Sequence, residues 1–330
     1  MGWRGTVRSL NASMKRAARE AERREKIALK QEITEASAEA VSVWEDYLDD
    51  LVSVHLNRGS EINWHEVRDR PQPEFPNPIT HRTKRAERAL SDFRPGPLDF
   101  LKGGSERRLE ELETRLSHAR TEDSVDDISA LKQYQTELDD WQEDHEMAQK
   151  VLAGDIEATK RVIAERQSLS GDSQLGINIG FEIRPACVHA LPEVHGIDVV
   201  PNYRRKQLSS GKLSETAMPV SQRNELYQDY VASVSIRVAS ELFGILPLEE
   251  VHVSCKAQML NSATGYQERM IILSVQFVRE TLRSLNLEGI DPSASLSNFS
   301  HSMDFKKTRG FAPVEPLVKL ADGPPPLPKF

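Results

Sequence analysis

Asp198, Glu193 and Lys256 are the residues of this chain that come nearest to a metal-dependent nuclease or hydrolase centre. Such a centre needs an acid at the end of one strand and an acid-x-lysine pair on the next, to hold a cation and polarise water. Asp198 falls at the end of a predicted strand, but the lysine stands in Ser254-Cys255-Lys256, without the required carboxylate. Cys187, His189, His195, His252 and Cys255 raise the question of zinc. Cys187 and His189 share one face of a predicted strand. His252 and Cys255, three apart on another, point to opposite sides. No Cys-x-x-Cys pair closes a four-ligand site, so the pattern predicts no metal and no cofactor. The glycines of GDSQLGINIG have no lysine and no helix after them with which to cradle a phosphate. No GxSxG elbow presents a nucleophilic serine. No catalytic residue is assigned from the sequence.

Two basic segments are candidates for contact with a polyanion. Arg16, Arg19, Arg23 and Arg24 lie on a predicted helix. Lys306, Lys307 and Arg309 stand between Phe305 and Phe311 in FKKTRGF, where lysines would meet phosphates and rings would stack on bases. The structural alternative for the second segment is that its two phenylalanines pin the chain to the domain. Residues 1–30 carry nine basic against three acidic side chains, and Glu20, Glu22 and Glu25 dilute the positive field. The stretch 110–157 is the reverse, with clusters such as Glu110-Glu111, Asp126-Asp127 and Asp139-Asp140. Blocks of opposite sign in one chain tend to meet each other before they meet a partner.

These residues need elements to position them. The chain has 330 residues, enough for two domains, with 38% apolar and 28% charged residues and a net charge of -8. Two cysteines are too few for a disulfide scaffold, and no apolar run is long enough to cross a membrane, so the expected setting is cytoplasmic. MGWRGT matches the loose myristoylation pattern, which the bulky Trp3 disfavours. Residues 6–57 read as one helix with an apolar stripe at Ile33, Ala40, Trp44, Tyr47, Leu51 and Val54. Prolines 71, 73, 76 and 78 make residues 68–80 an extended linker or strap, and a second break covers 94–104. A short helix is expected between them, at about 83–93. Residues 105–170 are helical and acidic, with a turn-like TEDSVDD at 121–127 and a helix stop and N-cap at Gly154-Asp155. The spacing points to a helical hairpin or antiparallel coiled coil, with pairing to the basic N-terminal helix or a parallel homodimer both open.

Beyond a boundary at 168–176 the pattern alternates. A domain over 176–290 is expected to run ββαββα. Its first strand is interrupted near Pro185, its second covers 196–200, and residues 203–219 form a polar connection. Its buried central helix begins after Pro219, and two strands follow, turning at Thr264-Gly265. In Arg237 and Glu241, four apart on that helix, a structural ion pair is expected. Residues 291–330 read as a tail without regular structure from about 321, where Pro325-x-x-Pro328 matches a minimal proline-groove ligand. The fold class is therefore α+β: long N-terminal helices or a coiled-coil arm, then a domain with a mainly antiparallel sheet.

NELYQDYV, ILPLEEVHVS and NFSHSMDFKKTRGF resemble the carboxy-terminal region of an uncharacterised group of bacterial proteins. The resemblance implies a bacterial, cytoplasmic protein and brings no catalytic residue with it. The function expected is that of a non-enzymatic scaffold or adaptor, partnered by itself or another protein through its helical arm. The alternatives are a nucleic-acid-associated protein using residues 4–30 and 306–309, and a cryptic hydrolase centred on Asp198 and Lys256.

Overall fold

The computed structural model describes residues 3–57, 59–94, 104–165, 178–184, 187–261 and 264–318, with side chains from Met14 onward except Ala17 and Ala18. The 95–103 break, the 168–176 boundary, the side chains of MGWRGT and the proline-rich end with Pro325 and Pro328 lie outside what is described. The chain is mixed helix and strand, with long N-terminal helices and a C-terminal sheet that is mostly antiparallel. It forms two compact units, residues 63–153 and the remainder. No described helix is long and apolar enough to cross a membrane.

The smaller unit is built on helix α4 (Gly104–Leu152), against which α2 (Trp64–Asp69), the proline-rich strap and α3 (His81–Ser91) are laid. The strap runs antiparallel to α4: Arg70 pairs with Asp144 at 3.1 Å, Phe75 meets Tyr134 edge-on, and Ile79 N–H donates to Asp127 Oδ1 at 2.6 Å. The helix continues through TEDSVDD, where a turn was expected, and the reason lies in its acids. Aspartates favour turns by bonding their own backbone, but here they bond elsewhere. Asp123 accepts from Thr83 N–H at 2.8 Å, and Asp126 holds the Arg82 guanidinium. They supply acceptors to the start of α3, whose own N-cap residue Thr80 makes no side-chain cap. Gly154, at φ +74°, follows the end of α4, and Asp155 Oδ1 accepts from Ala158 N–H to open α5 (Ile156–Glu165), which belongs to the larger unit.

The larger unit begins with helix α1 (Trp3–Val52), continued by a 3-10 turn at Val54–Leu56. Strands β1 (Asn178–Arg184) and β2 (Cys187–Glu193) form an antiparallel hairpin. The second strand expected at 196–200 is a 3-10 turn, Ile197–Val199. A side-chain Cβ at Gly196 would lie 2.6 Å from Asp198 Oδ1, so the backbone curls tightly there. The expected polar connection is a two-stranded hairpin of its own, β3 (Tyr203–Gln207) and β4 (Leu213–Ala217), packed on α1. Its polar residues alternate at strand period, with one row over the helix.

Helix α6 (Val220–Ile245) is the axis of this unit. Its second half is buried on nearly all sides, as in a helix covered all round. From Tyr230 to Ala239 every residue is buried. On one side lie β5 (Glu250–Leu260) and β6 (Gln267–Val278), joined by a hairpin with Gly265 at φ +73°. On another lies the end of α1. His55 N–H donates to Ser233 Oγ at 3.0 Å, and Gly59 N–H donates to Glu241 Oε1 at 2.7 Å. Glu241 and Arg237 form the expected ion pair, 3.0 Å apart and buried.

After α7 (Arg279–Ser284) and α8 (Pro292–Ser295), residues read from sequence as tail add β7 (Ser300–Lys306) and β8 (Gly310–Ala312) to the sheet. The sheet order is β1-β2-β5-β6-β7-β8, antiparallel except for the parallel pair β2–β5. That parallel pair brings together strands separated in sequence by the β3–β4 hairpin and α6.

Candidate functional site

Side chains alternate across a strand, so the register decides which residues meet. One face of the sheet presents Val188, Ala190, Val251, Val253, Cys255 and Val275, all buried. Cys255 Sγ stands 3.9 Å from Val231 O, which puts this face against α6. The opposite face carries the polar residues. Glu182 on β1 stands opposite His189 on β2, which is beside His252 on β5, opposite Gln276 on β6. Ser254 and Ser274 form the next row, and Cys187 and Glu250 the row before.

This polar face is largely covered. His189 is 2% and His252 6% exposed. His189 Nε2 meets Ser254 Oγ at 2.8 Å, Ser254 Oγ meets Ser274 Oγ at 2.8 Å, and Leu317 N–H donates to Ser274 Oγ at 3.1 Å. The chain after β8 thus returns over part of the face, a course also fixed by Val314 N–H donating to Ile271 O. Ser254 is fully buried and shares its hydroxyl with Ser274, so the His189–Ser254 pair is a structural tie and presents no nucleophile.

One end of the same face is open. Cys187 is half-buried, and the Glu250 side chain is 43% exposed. Cys187, Glu250 and His252 place their ligand-type atoms within 4.8 Å of one another. His252 Nδ1 is buried with no partner, and its Nε2 stands 4.0 Å from Glu250 Oε1, beyond hydrogen-bond range. Gln276 Nε2 donates to Glu250 Oε2 at 2.7 Å and orients that carboxylate. Burial lowers the proton affinity of both imidazoles, taking His189 to about 4, and burial with the nearby Glu250 raises that of the Cys187 thiol. The imidazoles are therefore neutral at physiological pH, which leaves a lone pair on each ring.

The residues singled out from sequence are dispersed. Glu193 and Lys256 are cross-strand partners on β2 and β5, and Glu193 is held by Arg269 at 3.2 Å. Asp198 lines a surface cleft with Trp44, Tyr47, Tyr203 and Arg223, and Lys256 is not among the lining residues. In that cleft Tyr47 OH donates to Val199 O at 2.7 Å, and Arg223 donates to the carbonyls of Val200 and Ile197. His195 packs on Tyr230 at the α6 side, and buried Cys255 faces α6, so neither joins Cys187. Sequence reasoning separated His252 from Cys255 correctly but omitted Glu250. A Glu-x-His spacing on one strand puts both side chains on one face, and only the parallel register adds Cys187.

The basic candidates differ in their surroundings. Lys307 pairs with Glu225, Arg309 pairs with Asp304 at 2.8 Å, and Lys306 is exposed. Phe311 is buried against Phe305 and Tyr227, which pins this segment to the unit. On α1, Arg16, Arg19, Arg23 and Arg24 are exposed. From Met14 to Ile33 every described side chain is exposed, including Met14, Ile27 and Leu29. Cover begins at Thr34, whose carbonyl accepts from Gln207 Nε2 at 2.6 Å, and extends along the helix through Ser37, Leu48 and Leu51. No protein-family model, curated protein or solved structure matches this chain.

Proposed function

We propose that the chain is a non-enzymatic adaptor of the cytoplasm that assembles with a second copy of itself through the uncovered first half of α1. The α+β unit serves as the scaffold from which the arm extends. The observation that carries this reading is the exposure of every described side chain from Met14 to Ile33, in a helix that has one covered face further along, at Ser37, Leu48 and Leu51. An isolated helix gains little from propensity alone, and most helical stability comes from packing. A stretch with Met14, Ile27, Leu29 and Ile33 uncovered gains that stability from a partner, in a coiled-coil or bundle contact.

Charge supports a second copy as that partner. Residues 1–30 hold nine basic against three acidic side chains, and residues 110–157 hold fifteen acidic against four basic, so each copy offers both signs. The ion pairs of Lys307 and Arg309 weigh against the nucleic-acid reading at the 306–309 turn. That Lys256 does not line the cleft of Asp198 weighs against the hydrolase reading.

Sedimentation equilibrium tests the proposal on the full chain and on a variant lacking residues 1–30. At about 50 mM salt the full chain is expected to be a dimer or larger and the deletion variant a monomer. At roughly 500 mM salt, where charges are screened within a few ångströms, the full chain is expected to dissociate in part. A full chain that stays monomeric at low salt overturns the reading. A labelled DNA duplex of about 20 base pairs that binds only when residues 1–30 are present, and is released by salt, would assign the arm to nucleic acid instead.

A further inference from the structure

We propose that Cys187, Glu250 and His252 bind a divalent transition-metal ion of the zinc type at the open end of the polar sheet face. Three features of the fold build this site. Glu250 and His252 are two apart on β5, so they share a face. The parallel register of β2 on β5 sets Val188 beside Val251, which places Cys187 beside Glu250. The three ligand atoms already lie within 4.8 Å of one another. A tetrahedral shell with bonds of about 2.0–2.3 Å sets its ligands roughly 3.3–3.8 Å apart, so closure needs a shift of about 1 Å, within reach of the half-exposed Glu250 side chain.

The unsatisfied chemistry of His252 points to a ligand. The residue is 6% exposed, its Nδ1 has no partner and its Nε2 has only Glu250 at 4.0 Å. Burying a ring nitrogen without a hydrogen bond is costly, and a coordinated cation gives one nitrogen of the ring a partner. The donor set selects the class of ion. A thiolate and an imidazole exclude calcium and magnesium as preferred guests, and a mixed sulfur, nitrogen and oxygen set suits zinc. The Gln276 amide, bonded to the outer oxygen of Glu250, orients the carboxylate as an outer-shell partner does in metal sites. On binding, the Cys187 Sγ–H bond breaks, the sulfur bonds the metal and the proton passes to solvent. Arg184, the cross-strand neighbour of Cys187, supplies a positive charge that favours the thiolate. Water completes the shell on the exposed side.

Cobalt(II) added to the full chain reports on the site directly. The expected result is a thiolate-to-cobalt charge-transfer band that saturates at one equivalent and is discharged by zinc. Cys187→Ser is expected to abolish the band and Cys255→Ser to leave it unchanged. His252→Ala and Glu250→Gln are each expected to weaken binding at least about tenfold, with circular dichroism confirming that each variant is folded. Zinc is also expected to protect Cys187 from iodoacetamide in the unaltered chain, a readout that needs no variant. Absence of the band, or a band that survives Cys187→Ser, overturns the site. Neither result bears on assembly through α1, since the two tests share no residue.

Discussion

Arg237 and Glu241 stand one helical turn apart inside α6, their side chains 7% and 0% exposed. A charge at that depth tolerates no loss of its partner, so Glu241→Ala is expected to destabilise the chain by about 3–5 kcal/mol, measured by denaturant unfolding. Asp229, on the same helix, shows the opposite balance. Burial raises its pKa, against the hydrogen bond from Ser293. The folded state therefore keeps a proton that the unfolded chain releases above about pH 4, and stability falls as pH rises through the window between the two values. Asp229→Asn is expected to raise the melting temperature at pH 7 and to lose that advantage as the pH is lowered towards 4. The two cysteines separate by the same physics. Cys255 is fully buried with its thiol pKa pushed up, so iodoacetamide is expected to label Cys187 alone in the native chain.

At the scale of elements, two contacts decide structure that local pattern misreads. The β3–β4 hairpin closes through Gly211 at φ +82°, and a Cβ there would lie 2.2 Å from Thr34 Oγ1. Gly211→Ala is expected to destabilise the chain by about 1–3 kcal/mol through backbone strain and this clash. Adding Thr34→Ala should recover the part owed to the clash, a coupling that a double-mutant cycle measures. In the smaller unit, Asp123 serves Thr83 N–H from across the helix pair, and Asp123→Ala is expected to cost about 1–3 kcal/mol and to fray α3, seen as lost helical circular dichroism. The acids of TEDSVDD look like turn formers because the sequence does not show that their carboxylates are engaged by α3. The residues of 203–219 look like a loop because five-residue strands with one covered row leave little apolar signal.

For the whole molecule, exposure ranks the parts by their expected resistance to opening. Amide exchange is expected to be fast from residue 14 to 33 of α1 and slowest in α6 and the paired core of β5 and β6, where side chains are buried on both faces. Under conditions where the chain assembles, protection should rise in that first half of α1 and nowhere in α6. Unchanged exchange in the arm upon assembly would move the contact elsewhere.

Much of the architecture was legible in local pattern. The long helices, the buried run of α6, the stop at Gly154, the Arg237–Glu241 pair and the β5–β6 hairpin all follow from spacing, capping and turn chemistry, which act over a few residues. The continuous α4, the hairpin at 203–217 and the two strands contributed by residues 300–312 depend on partners distant in the chain. So does the meeting of Cys187 with Glu250 and His252. Glu-x-His on β5 was there to be read as a shared face. The third ligand arrives through a parallel pairing of strands more than fifty residues apart, and register across such a distance is set by how α6 and its crossover pack, which no local spacing encodes.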